Sequence, residues 1–406
     1  MSAPVNTFTR DRVTVLSYAS LGTYAYCLYG LGPLLVLLRN DLNLSYALMS
    51  LHSAVFAAGA LVTGASFSAL CKRIGRRRLF WISAAGTATG AITLMVATTV
   101  VFTMTASAIL GAGGTLLQTG TLAVLADRHD DRRDRALIEA NVGASAAAIL
   151  APIFFGFLKG SGLSWRIGLL VPVLALAILY GIYHREPFPD APSELAPADY
   201  GATSGLPRPC WLLCMLTGIV VGAEFCVVFY GAPMLSTTHG MTTGGAALAI
   251  SLFYTGELLG RLIGSKLVQR TSYGAALVLC SLVVAMVAFL AFWLARSETL
   301  ALSALFFTGI GMANLFPVSL SLAVNAAPGR TNLVTARTQL LVGCAMMVAP
   351  VALGALADQF GIFSAFSIEV TLIVLAAFLL ALGRLLPPSI SNESAGGEDA
   401  HASWLR

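Results

Sequence analysis

The chain has 406 residues, 57% of them hydrophobic and only 11% charged, with a net charge of +5 and a mean hydropathy of +0.82. A soluble globular chain carries about 25% charged residues, so this composition excludes a soluble enzyme or binding module. It also excludes a membrane β-barrel, whose strands are short and alternate in hydropathy.

A polar segment, MSAPVNTFTRDR, leads directly into the first apolar stretch. That stretch is too long for the core of a signal peptide, so no cleavable leader is expected. There are twelve apolar stretches in all, each long enough to cross a bilayer as a helix. They centre on roughly 26, 57, 90, 114, 147, 175, 222, 256, 283, 311, 345 and 374, taking about 20 residues each. The turn between spans 2 and 3, CKRIGRRRLF at residues 71–80, packs five cations into ten residues. Residues 184–209, HREPFPDAPSELAPADYGATSGLPRP, break the apolar rhythm and read as a linker. The expected product is an all-α polytopic membrane protein in two six-helix bundles. Residues 1–183 form the first bundle, 184–209 a cytoplasmic linker, 210–386 the second bundle and 387–406 a cytoplasmic tail.

Charge placement sets the expected orientation. With the N-terminus inside, nineteen of the 24 Lys and Arg fall on the inner side. Only Arg39, Lys159, Arg166 and Arg296 fall outside, and Arg261 lies within a span. Positive charge is retained on the cytoplasmic side, so both termini are expected there, in a bacterial-type inner membrane. The net positive charge therefore reflects topology and implies no nucleic-acid partner. The seven cysteines show neither a pairing pattern nor metal-ligand spacing. No metal, cofactor or enzymatic activity is expected, and the chain is expected to be a monomer in the lipid bilayer.

The two halves repeat in register. Phe56, Gly59, Leu61 and Arg73 correspond to Phe253, Gly256, Leu258 and Arg270. Gly111, Gly113 and Leu122 correspond to Gly309, Gly311 and Leu320. The stretch LAPIFFGFL in span 5 is echoed by VAPVALGAL in span 11, pairing Pro152 with Pro350 and Gly156 with Gly354. Tyr29, Gly30 and Pro33 of span 1 are matched by Tyr230, Gly231 and Pro233 of span 7. Parallel repeats of six helices are a transporter architecture, with the substrate site at the interface of the halves.

On these residues the chain resembles the major facilitator superfamily, in its twelve-helix type. The turn SALCKRIGRRRLF, starting at Ser68, is similar to that family's signature between helices 2 and 3, G-x-x-x-D-R-x-G-R-[RK]. Arg73, Gly75, Arg76 and Arg77 match it; Ser68 stands for the Gly and Lys72 for the Asp. In the second-half copy Arg270 is kept, with Gln269 and Ser272 in place of the Asp and the Gly. The resemblance implies two bundles around a central cavity, working by alternating access. It puts helices 1, 4, 7 and 10 on the cavity, helices 2, 5, 8 and 11 on the rocking sides, and the rest in support. It also implies a cytoplasmic latch in which an Arg pairs with an acid at the end of helix 4, where Asp127 stands. Lys72 would put a cation near a helix N-terminus, where the dipole disfavours it. The expected gating residues are Lys72, Arg73, Arg76, Arg77, Asp127, Glu139, Arg261, Arg270 and Arg337.

Ionisable groups inside spans are costly and usually functional. Glu224, near the middle of span 7, has no basic residue within two turns on its own helix and is the first candidate proton carrier. Glu257 and Arg261 stand four residues apart with the acid first, which favours an intrahelical pair. Glu257 is the second candidate proton-coupling residue. Glu369 falls on a support helix, and no transport role is expected of it. His52 in span 2 is a titratable group or a satisfied interface residue. Tyr24, Tyr26, Tyr29, Gln118, Asn141, Glu224, Tyr230, Asn314 and Gln339 are the expected cavity residues; aromatic faces with a few amides suit a small organic solute. No nucleotide-binding motif is present: GAGGTLL in span 4 lacks the P-loop ending. The Ala-Pro-x-x-x-Gly stretch of span 5 resembles the G-P-x-x-G-G stretch of the family's proton-driven exporters, with Ala151 for the first Gly. The helix 4 Arg of those exporters has no counterpart between Val101 and Asp127. The expected function is secondary active transport of a small organic solute, coupled to protons as export by antiport. The alternatives are proton-coupled uptake by symport and facilitated diffusion.

Overall fold

A computed structural model describes residues 9–129, 132–189, 205–268 and 274–385. Arg270, the linker from 190 to 204 and the tail from 386 lie outside the described residues. Helix α1 spans Arg12–Leu42, α2 Tyr46–Ile74, α3 Arg76–Val96, α4 Val100–His129, α5 Arg133–Gly160 and α6 Leu170–Tyr183, preceded by a 3-10 turn at Trp165–Leu169. Then follow α7 Arg208–His239, α8 Thr243–Val268, α9 Gly274–Trp293, α10 Glu298–Met312, α11 Leu315–Asn325, α12 Thr331–Phe360, α13 Ile362–Ala365 and α14 Ser367–Leu385. They make twelve membrane-length apolar spans, α10 with α11 and α13 with α14 counting as one each. Each span falls on its expected centre to within a few residues. The result is the expected all-α protein of two pseudo-symmetric six-helix bundles.

Local chemistry fixes the helix ends. The Asp11 carboxylate accepts from the Thr14 amide at 2.8 Å and starts α1. The Ser45 hydroxyl caps α2. Gly75 has φ +81°, so α2 stops and α3 restarts at the next residue. A residue with a side chain is strained there, which is the physical reason for glycine at that point of the turn. Pro33, Pro152, Pro233 and Pro350 lie inside α1, α5, α7 and α12, so the proline pairs of the repeat sit at corresponding places. One span departs from the repeat: α4 is continuous, while its counterpart breaks between Met312 and Leu315. Pro317 cannot donate a backbone hydrogen bond and crowds the carbonyl of Ala313, and it is tolerated in the first turn of α11.

The chain forms two compact units. The first comprises Met1–Leu195, Val228–Ser251 and Pro350–Ile362; the second comprises Ala196–Val227, Leu252–Ala349 and Phe363–Arg406. Within each unit the repeated glycines mark the closest helix crossings. A Cβ on Gly111 of α4 would sit 2.1 Å from the Phe56 carbonyl oxygen of α2. A Cβ on Gly309 of α10 would sit 2.1 Å from the Phe253 carbonyl oxygen of α8. Gly59 and Gly256 are crowded from the other side of the same crossings, a Cβ there lying 2.5 and 2.0 Å from the carbonyl oxygens of Ala108 and Phe306. Between apolar helices in lipid, association comes from such close backbone contact rather than from water exclusion. Gly111→Val should therefore force α2 and α4 apart and cost about 2 kcal/mol or more. A clear drop in the thermal unfolding midpoint of the detergent-purified protein, matched by Gly309→Val, is the expected result. An unchanged midpoint would refute the crossing as a determinant of stability.

Candidate functional site

In the second unit, α7 and α8 bring three ionisable side chains together in apolar surroundings. Glu257 is buried, and Arg261, one turn further along α8, donates to its Oε1. The expected intrahelical pair is thus formed. Glu224 of α7 is buried as well and lies within electrostatic reach of both Glu257 and Arg261. Two carboxyls share one guanidinium. If both ionise, one negative charge is left without a cation in a medium that solvates it poorly; one bound proton removes that charge. The arrangement is suited to taking up and releasing a proton.

In the first unit, the end that carries the α2–α3 turn is laced by ion pairs. Arg76, its side chain 6% exposed, holds Asp127 at the end of α4 with Nη2–Oδ2 2.7 Å. Its Nη1 donates to the Pro189 carbonyl at 3.3 Å. Arg77 donates to the His184 carbonyl. Among the arginines of the α2–α3 turn, Arg76 is the one that meets Asp127. Arg73 and Lys72 are exposed in the last turn of α2, where the negative end of the helix favours cations. Glu139 is gripped by Arg10 through two bonds of 2.8 and 2.9 Å, by Arg135 at 3.2 Å and by the Tyr18 hydroxyl at 3.2 Å. Arg128 bonds Asp11 at 2.6 Å. Burial raises the Asp11 carboxyl, but the bonds from Thr14 and Arg128 outweigh it and leave it below the usual carboxylate range. Its stabilisation is complete above about 3.9 and is lost as pH falls through the depressed folded value. Arg10 and Asp11 were visible in the sequence only as charges before span 1; their partners are more than 110 residues away.

Arg76 is the keystone of this end. Removing one partner of a fully buried pair costs about 3–5 kcal/mol, and solvent screening lowers this where Asp127 is a third exposed. Arg76→Gln is expected to cost about 2 kcal/mol, read as a fall in unfolding midpoint that Arg73→Gln does not reproduce.

At the opposite end of the first unit a second set of contacts joins α1, α2 and α5 to the ends of α7, α8 and α12. Asp358, in the last turns of α12, accepts from the Tyr46 amide at 2.7 Å and the Ala47 amide at 2.9 Å. These are free N–H groups of the first turn of α2. The Tyr230 hydroxyl lies 3.0 Å from the Pro350 carbonyl and 3.2 Å from that of Tyr46, while Asn40 donates to Thr243 at 2.9 Å. Gly156 and Gly244 meet backbone to backbone: a Cβ on the first would sit 2.6 Å from the carbonyl oxygen of the second. Tyr230, expected on the cavity, belongs to this cluster. Asp358 and Asn40 were not singled out in the sequence, since neither sits in a motif.

The other expected cavity residues are dispersed. Tyr24 packs against Gly114 of α4. Tyr26 is buried against Phe155 and donates to the Gly168 carbonyl at 3.0 Å. Tyr29 packs against the apolar cluster that Leu21 and Ala25 form with Leu125, Ala136, Ala140 and Ala144. Asn141 donates to the Leu137 carbonyl of its own helix at 2.8 Å. Asn314 fills the break between α10 and α11 and donates to the Gly260 carbonyl of α8 at 2.9 Å. Gln118 is half-buried, and Gln339 and Arg337 are exposed. His52 is a satisfied interface residue, bonded to the Leu48 carbonyl and to the Thr103 hydroxyl at 2.8 Å each. Among the described residues no group of three or more His, Cys, Asp or Glu is placed to hold a metal ion.

The sequence matches the Major Facilitator Superfamily over residues 16–301 and again over 213–406. A chloramphenicol resistance protein of Streptomyces lividans is 27% identical over 267 residues, a match spanning 63% of this chain and 65% of that protein. A bacterial homologue of the human lysosomal transporter Spinster, in an inward-facing and unoccupied conformation, aligns with a TM-score of 0.74 at 16% identity over 94% of this chain and 98% of that one. The nucleoside transporter NupG aligns with a TM-score of 0.70 at 14% identity, covering 92% and 98%. A D-xylose-proton symporter aligns with a TM-score of 0.69 at 15% identity, covering 90% and 96%. At these identities the likeness is one of fold.

Proposed function

Because the chain belongs to the major facilitator superfamily, we propose that it is a secondary active transporter that exports a small organic solute in exchange for protons. The observation that carries the coupling is the buried pair of carboxyls, Glu224 and Glu257, facing the single guanidinium of Arg261. A proton binds there when the cavity opens to the acidic side and leaves when it opens to the other. Export is supported by the Ala-Pro-x-x-x-Gly stretch at Pro152 and by the similarity to a chloramphenicol resistance protein. The residues proposed for the solute cavity are Gln118, Asn141, Gln339 and, on α1, Tyr24, Tyr26 and Tyr29. The protein is proposed to work as a monomer in a bacterial-type inner membrane with both termini cytoplasmic. Its six-and-six division falls at residues 184–209.

The test is proton movement in energised inverted vesicles with an acidic lumen, followed by a quenched dye. Chloramphenicol and other small amides serve as probe solutes. Recovery of fluorescence on adding a solute supports antiport. No recovery, with accumulation of the same solute in right-side-out vesicles on external acidification, means symport and overturns export. Solute movement that ignores a proton gradient of either sign overturns coupling altogether.

A further inference from the structure

Glu369 stands in the first turn of α14, within the second unit. It is 0% exposed, and neither carboxyl oxygen has a hydrogen-bond partner among the described residues. Helix α9 packs along α14 and carries no acidic or basic residue; its one titratable group, Cys280, is exposed. The titratable group that faces Glu369 is the buried thiol of Cys226 on α7. Cys226 is two residues beyond Glu224, which is about 200° around the helix. Helix α7 therefore presents one buried acid site on each of two opposite faces. One is Glu224 with Glu257 and Arg261; the other is Glu369, with no cation paired to it among the described residues.

A structural acid returns part of its burial cost through hydrogen bonds, and Glu369 returns none. An isolated carboxylate in such surroundings is far more costly still. The carboxyl fits this enclosure only while it holds a proton, and an ionisable group at membrane depth marks a proton or ion pathway by default. We propose that Glu369 is a second proton-binding site of the transport cycle. In another conformation water reaches the carboxyl, its O–H bond breaks and the proton passes to water. The carboxylate is reprotonated from the other side before the enclosure forms again. This rests on the proton-coupled reading above and adds one proton per solute to it.

The test combines two measurements on protein in liposomes, for wild type and Glu369→Gln. The first is the infrared difference spectrum on adding the transported solute, read in the carbonyl band of protonated carboxyls. The second is the number of protons moved per solute. The expected result is a solute-sensitive band missing from Glu369→Gln, with the proton count falling from two to one. A Glu369 band that ignores both solute and alkaline pH, with the wild-type count intact, overturns this inference and leaves the coupling reading standing. A wild type that moves no protons with its solute overturns both. If Glu369→Gln does not fold, Glu369→Asp keeps a carboxyl at the site and the band is assigned by its shift, with an unshifted spectrum overturning the inference.

Discussion

Glu224→Gln is expected to abolish solute-driven proton movement in inverted vesicles while solute-for-solute exchange continues. Gln has nearly the volume of a protonated Glu, so the packing of α7 against α8 is preserved. The Glu257–Arg261 pair is then neutral and complete. What disappears is the exchangeable proton. Proton transfer by a positioned side chain is commonly worth about 100-fold or more in rate, and a loss of about that size in dye recovery is expected. Exchange of labelled for unlabelled solute needs no net proton step and should fall by no more than a few-fold. Recovery that survives Glu224→Gln would remove this residue as the carrier and direct attention to Glu257. Loss of both coupling and exchange would mean that Glu224 binds the solute itself.

Asp358→Asn is expected to open the end of the first unit that lies away from the α2–α3 turn. The carboxylate satisfies two free amides at the start of α2, and its charge complements the positive end of the helix dipole. Such a cap is worth about 1–2 kcal/mol, which is about 5- to 30-fold in a two-state population. Asn can accept one of the two bonds but brings no charge. A reporter is available in Ser50, which is fully buried beside Gly354. With Cys280 and Cys344 removed as exposed thiols, Ser50→Cys should label slowly in the parent and several-fold faster with Asp358→Asn. Tyr230→Phe, which loses the hydroxyl bridge to Pro350, should act in the same direction with a smaller effect. An unchanged labelling rate in Asp358→Asn would show that the glycine contact at Gly156 and Gly244 closes this end by itself.

The sequence by itself determined the number of spans, the repeat, the glycine crossings built on it and the Glu257–Arg261 pair. Apolar length fixes the spans, because an unpaired backbone is not tolerated in lipid. The glycines at 111 and 309 matched because each crossing needs a residue with no side chain. Glu257 and Arg261 were legible because four residues are one helical turn. Which way each helix turns was decided only by the tertiary structure. In a soluble helix the polar face marks the outside. In a bilayer both lipid and neighbouring helices are apolar, so the pattern along α1 or α14 does not distinguish them. The contacts of Tyr24 with Gly114 and of Tyr26 with Phe155 are therefore not marked in the pattern of α1. The Tyr230 hydroxyl bonds the carbonyls of Tyr46 and Pro350, contacts between residues 46, 230 and 350 that no local spacing encodes. Glu369, discounted as part of a support helix, proved to be an enclosed and unpartnered acid. Its depth depends on how α7 and α9 close around α14, and that is set by packing over distances of about a hundred residues in sequence.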